Sequence, residues 1–253
     1  MKYIQFIIVA ALLSCHTKQG TEKAITKKHT GSIAKIETVS ADSKGLDKSE
    51  TAIIESYVDS VHIGIKGKCK VELIKHRVYD DNYVIVKFYI KGKHTTNSPE
   101  TWINTNNYCY ETNASMGLQP TIEDFNNDNL NDITFISGKA ARGANEVRRL
   151  FIYDDQKQAL LSIVNSQDYP NMRYNKELDC IDAFLVYGGC STAFLHIQGD
   201  SLKQFANVEL ANGLTVSTFD KKGKEKIILR DRSYKFDYTR FVNFKPLKKY
   251  EDE

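Results

Sequence analysis

Beyond residue 50 the chain alternates apolar and polar positions with a period of two, the spacing of strands that bury one face. Residues 60–65 and 70–74 alternate in this way. Residues 82–90 (NYVIVKFYI) form the strongest predicted strand, with apolar character on both faces. Further strands are predicted over 102–110, 133–137, 148–153, 159–164, 177–186, 193–198, 205–210, 215–219, 225–229 and 238–244. Gly199-Asp200, Asn212-Gly213 and Lys222-Gly223 supply turn signals between them. Residues 51–57 read as a short helix. So many short strands and so little helical period predict an all-β domain over 51–253, either an antiparallel sandwich or a small propeller-like meander.

The first fifty residues follow different patterns. Lys2 is followed by an unbroken apolar run, Phe6 to Leu13, which is too short to span a bilayer as a mature helix. Residues 1–14 read as a signal peptide. Leu12-Leu13-Ser14-Cys15 resembles a bacterial lipobox, which implies that Cys15 becomes a lipidated N-terminus held in the bilayer by several acyl chains, palmitate among them. His16, where a retention signal would place Asp, points to the outer membrane facing the periplasm. Residues 16–50 are polar, lack aromatics and cannot bury enough surface to offset ordering entropy, so they read as a disordered tether.

Composition adds exclusions. The formal net charge is only +3, and no basic stripe interleaves with aromatics, so nucleic acid is not an expected partner. The protein is expected to be a monomer. The 14 Tyr and 12 Phe, against four Pro and three Met, suit a β-rich exported protein. Besides Cys15, four cysteines remain, and in an exported chain an even number suggests disulfides. Three connectivities are possible, and proximity favours Cys69–Cys109 and Cys180–Cys190.

The sharpest motif is Asp124-Phe125-Asn126-Asn127-Asp128-Asn129-Leu130-Asn131-Asp132. Oxygen side chains at alternate positions surround a hard cation, and calcium takes six to eight oxygens at about 2.3–2.6 Å. Asp124, Asn126, Asp128 and Asp132, with the Leu130 carbonyl, are the candidate ligands. Asn129 occupies the position that needs a left-handed backbone, and the Leu130 side chain is left to anchor in the core. Phe135 stands where an EF-hand has its bidentate Glu, and a strand follows instead of a helix. The stretch resembles the calcium turns of FG-GAP and VCBS repeats, which implies a structural Ca2+.

No catalytic constellation is visible. H-E-x-x-H, G-x-S-x-G and C-x-x-C are absent, the six histidines are scattered, and the carboxylate pairs Asp179/Asp182 and Asp231/Asp237 are defined by spacing alone. The chain is read as a binding protein, not an enzyme. The better functional candidate is the small-residue loop at 137–145, where Ser137, Gly138, Arg142 and Asn145 are the candidate partner-binding residues. An arginine at such a tip offers a planar fork to carboxylates.

From residue 121 to about 210 the order is calcium turn, strand, small-residue loop, Arg-Leu-Phe-Ile-Tyr-Asp, hairpin, Asn165 to Pro170, then Tyr187-Gly188-Gly189. This order resembles the periplasmic inhibitors of invertebrate-type lysozyme and the related calcium-binding immunity proteins against exported peptidoglycan hydrolases. The resemblance implies a β protein that inserts a loop into a lysozyme-like cleft, where Arg meets catalytic carboxylates. Ser137-Gly138 matches the start of a Ser-Gly-x-aromatic motif typical of several such inhibitors, and Ala140 and Ala141 stand in place of its aromatic. The alternative expectation is an envelope glycan- or protein-binding lipoprotein, with Trp102 and neighbouring tyrosines as its platform.

Overall fold

The computed structural model describes residues 51–78, 81–92, 101–112 and 116–251. The predicted signal peptide, the lipidated Cys15 and the tether lie outside the described residues.

Four strands in sequence order make the first antiparallel sheet: β1 (Thr51–Asp59), β2 (Cys69–Val78), β3 (Asp81–Lys91) and β4 (Trp102–Thr112). The second sheet is β5 (Thr121–Glu123), β6 (Asp132–Ala140), β7 (Asn145–Asp154) and β8 (Ala159–Ser162). The third runs β9 (Met172–Asn175), β10 (Cys180–Val186), β11 (Cys190–Gln198), β12 (Ser201–Leu210), β13 (Leu214–Phe219) and β14 (Glu225–Asp231). A last hairpin pairs β15 (Phe241–Phe244) with β16 (Leu247–Lys249). The fold is all-β, and among the described residues every pairing is antiparallel and no sheet closes into a barrel. Each sheet is an up-and-down meander, which suits a chain with turn signals between nearly all its apolar segments.

The sheets pack by their faces. Val71, Leu73, Val86 and Phe88 of the first sheet meet Phe135 and Phe151 of the second in one core. Leu150 and Ile152 of the second meet Ile181, Ala183 and Leu195 of the third in another. A third core, with Phe194, Val208 and Val216, lies on the opposite face of the third sheet and is closed by Phe241. The second sheet is therefore covered on both sides. Residues 132–137 and 150–153 are continuously buried, whereas β3 alternates strictly along most of its length. The expectation of a doubly buried strand at 82–90 is corrected: double burial belongs to β6 and β7.

Two further predictions change. Residues 51–57 are strand, paired with β2 on either side of a bulge between Ile53 and Glu55, because a neighbouring edge supplies hydrogen bonds that an isolated short helix lacks. Residues 60–65 are a loop. Asp59 Oδ1 accepts the backbone N–H groups of Val61, His62 and Ile63 at 3.1, 2.7 and 3.0 Å, which turns the chain out of β1. Ile63 is inserted into the first core, and Gly64, at φ +53°, donates its N–H to the Asn131 carbonyl at 2.8 Å.

The expected disulfides do not form: Cys69, Cys109, Cys180 and Cys190 are free thiols. Register explains this. Cys69 pairs with Ile90 and Cys109 with Ile85, five positions apart on β3, about 16 Å along the strand. Cys190 pairs with Val186, six positions from Cys180 on β10 and about 20 Å away. A disulfide needs Cα atoms within about 7 Å.

Candidate metal turn and binding hairpin

The nine-residue acidic turn joins β5 to β6 at one end of the middle sheet. Its two apolar residues explain how it is seated. Phe125 is buried in the core between the second and third sheets, and Leu130 packs on the core between the first and second. The turn thus straddles the end of the middle sheet with one anchor on each side. Asn127 and Asn129 take left-handed conformations, at φ +59° and +67°, which Asn tolerates better than most residues.

The polar residues organise the turn from inside. Asp124 Oδ1 accepts the N–H groups of Asn126 and Asp128 at 3.2 Å each, and its Oδ2 accepts that of Asn129 at 2.8 Å. Asn126 Nδ2 donates to Asp128 Oδ2 at 2.8 Å, and Asp128 Oδ1 accepts the Leu130 N–H at 2.8 Å. Asp132 is fully buried, with Oδ2 on the Phe125 N–H and Oδ1 on the Tyr153 N–H, both at 2.8 Å. Burial, with the Asp128 and Asp124 carboxylates adding, pushes the Asp132 carboxyl up to about 8 despite those two bonds. The candidate ligands Asp124, Asn126, Asp128 and Leu130 are thus joined by hydrogen bonds within one loop, and Asp132 closes its base. Among the described residues no three His, Cys, Asp or Glu side chains already stand together as a metal-holding group. The donor set fits a hard cation in chemistry: it is all oxygen, acidic and preset by its backbone turns.

Strand β6 leads from this turn to the candidate partner loop, which is the tip of the β6–β7 hairpin. Ala141, Arg142 and Gly143 are all left-handed, at φ +48°, +56° and +97°, and Arg142 is exposed at the apex. The other three candidates have different roles. Ser137 is buried at a bulge between β6 and β7, its hydroxyl donating to the Val147 carbonyl at 3.3 Å. Gly138 has open space around its Cα. Asn145 is a clamp: its Nδ2 donates to the Val186 carbonyl at 2.9 Å and its Oδ1 accepts the Val186 N–H at 2.8 Å, tying the hairpin to β10.

A second clamp, Asn171, was not identified from the sequence. Its Nδ2 donates to the Ala144 and Phe184 carbonyls at 2.9 and 2.8 Å, and its Oδ1 accepts the Glu146 N–H at 3.0 Å. Asn171 is left-handed at φ +53°, and the Pro170-Asn171 pair was the available signal. Arg148 braces the same region through Glu146 Oε1, at 2.6 Å, and the Gln119 carbonyl, at 3.0 Å. On the outer face of the first sheet, Lys70 Nζ lies 4.1 Å from the Tyr89 ring centre and 5.7 Å from that of Trp102.

No protein-family model matches the sequence, and no curated protein is similar to it. Among solved structures the chain is similar to a Xanthomonas protein described as related to a type IV secretion system, at 8% identity and a TM-score of 0.42, over 71% of this chain and 98% of that one.

Proposed function

We propose that this chain is an envelope-anchored, calcium-stabilised binding protein that inhibits a lysozyme-like peptidoglycan hydrolase with the β6–β7 hairpin. The observation that carries the reading is Arg142, exposed at the apex of a hairpin whose tip is clamped to β10 by Asn145 and Asn171 directly beside it. A left-handed Arg costs of order 1 kcal/mol, and such local cost concentrates where a binding tip must be shaped. In this reading the tip enters the hydrolase cleft, and the Arg142 guanidinium forms paired hydrogen bonds with acidic catalytic groups. Asp124, Asn126, Asp128, the Leu130 carbonyl and Asp132 would hold the ion. Its contribution is structural: it neutralises the turn and fixes the origin of β6. Cys15 would supply the lipid anchor.

The test is clearing of a peptidoglycan suspension by lysozymes of the invertebrate, chicken and goose types, with the protein added in calcium. Inhibition of at least one type is expected, weakened about tenfold or more by Arg142→Ala with the unfolding midpoint unchanged. Absence of inhibition across all three types overturns the reading, and equal inhibition by the variant removes Arg142 from it. The second reading, glycan binding on the outer face of the first sheet, is favoured by half-exposed Trp102 beside Tyr89. It expects peptidoglycan co-sedimentation that is lost in Trp102→Ala and kept in Arg142→Ala.

A further inference from the structure

A second constellation lies on the face of the third sheet turned away from the middle sheet. Asp182 is fully buried there. Its Oδ1 accepts Arg240 Nε at 2.5 Å, and its Oδ2 accepts Asn175 Nδ2 at 2.9 Å and the Tyr250 hydroxyl. Arg240 Nη2 also donates to the Asp182 carbonyl at 2.9 Å. One buried carboxylate is thus matched by one engaged guanidinium, as a buried charge requires.

Arg173 brings a second guanidinium to the same place. It stands opposite Asp182 in the β9–β10 register. Its Nε is 3.9 Å from Asp182 Oδ1, too far for a hydrogen bond, and is buried without any hydrogen-bond partner. The guanidinium carbon lies 3.5 Å from the Tyr250 ring centre, so the ring covers one face of a side chain that is 32% exposed. A cleft of about 610 Å³ opens beside it, lined by Arg173, Arg240, Lys249 and Thr239. Asp237 and Glu251 also line it.

We propose that this cleft binds a small molecule carrying one phosphate group. A buried N–H needs an acceptor, and Arg173 Nε has none. With Arg240 engaged by Asp182, Arg173 and Lys249 are the cations that the cleft offers a ligand, and two cations on different elements suit a phosphate, which presents three oxygens in three directions, better than a planar carboxylate. The volume exceeds that of phosphate alone and lies in the range of organic ligand sites, about 300–1,000 Å³. Asp237 and Glu251 repel further negative charge, which excludes a polyanionic chain. Asn175 and Tyr250 are positioning residues: they hold Asp182, which orients Arg240, and the Tyr250 ring orients Arg173.

The experiment is calorimetric titration of the full chain with inorganic phosphate and with glycerol 3-phosphate, against sodium chloride at matched ionic strength. Saturable binding of both is expected, tighter for the organic phosphate. Arg173→Gln, which removes no existing hydrogen bond, is expected to weaken Kd about tenfold or more while the unfolding midpoint stays within a few degrees of the parent. Lys249→Gln, an exposed change, is expected to weaken Kd about threefold or more. Heat indistinguishable from the chloride control, or one affinity shared by parent and both variants, overturns the proposal.

Discussion

Asp59 ends β1 by gathering three backbone N–H groups on one oxygen and the His62 ring on the other, at 2.8 Å. Burial raises its carboxyl pKa, but the bonds from the His62 side chain and from the N–H groups of Ile63, His62 and Val61 outweigh it and leave the group below its usual 3.8. Because the folded pKa is depressed, its stabilisation is present above the unfolded pKa and lost as pH falls through the folded one. Asp59→Asn is therefore expected to cost about 1 kcal/mol at pH 7, and the gap should narrow as pH falls below the usual 3.8 in urea unfolding. A gap that stays constant with pH would mean that charge has no part in it. Gly189 makes a different kind of test. A Cβ there would lie 2.4 Å from the Leu210 carbonyl oxygen, whereas one at Gly188 would meet nothing within 4 Å. Gly189→Ala should destabilise by about 1–3 kcal/mol and Gly188→Ala by much less, measured by thermal unfolding. The sequence marks both glycines as a turn, but only the approach of the β12–β13 connection separates them.

At the scale of elements, β6 and β7 were legible as apolar runs with a small-residue loop between them. The clamps that hold that loop were not. Asn145 and Asn171 look like ordinary loop amides until the fold brings Val186, Phe184 and Ala144 within reach, 13 to 41 positions away along the chain. Asn171→Ala should cost about 2–4 kcal/mol, by orphaning backbone groups and straining a left-handed position. Asn171→Gly keeps the backbone conformation and should recover roughly 1 kcal/mol of that. Amide exchange at Glu146 should accelerate in both, and unchanged protection there would show that the clamp holds nothing. The candidate partner residues divide for the same reason. A motif assigns Ser137, Gly138, Arg142 and Asn145 to one loop, while register sends Ser137 inward, commits Asn145 to β10 and leaves Arg142 outside.

Among the described residues the sheets stack, and the acidic turn touches more than its own sheet. Phe125 and Leu130 reach two cores, and the Gly64–Asn131 bridge ties the turn to the loop after β1. If the turn holds calcium, chelation should lower the unfolding midpoint and speed amide exchange at Gly64 as well as at Asn129. Asp128→Ala should remove the calcium response, and calcium at 100 times its Kd should add about 2.7 kcal/mol to the parent. An unchanged midpoint with and without calcium would leave the turn as a self-sufficient hydrogen-bonded loop.

Alternation, turn dipeptides and the spacing of Asp and Asn along 124–132 were enough by themselves to specify an all-β domain, most of its strands and the shape of its acidic turn. These are local signals: period-two burial and left-handed Asn arise from neighbouring residues. The tertiary structure decided what locality cannot reach. It made residues 51–57 a strand by giving them β2 as a partner. It placed β6 and β7, not β3, in the layer covered on both faces. It held Cys69 from Cys109 and Cys180 from Cys190 by strand register, and set Arg173 beside an already paired Asp182. Each of these depends on which distant segments share a face or an edge, and that is fixed only when the sheets stack.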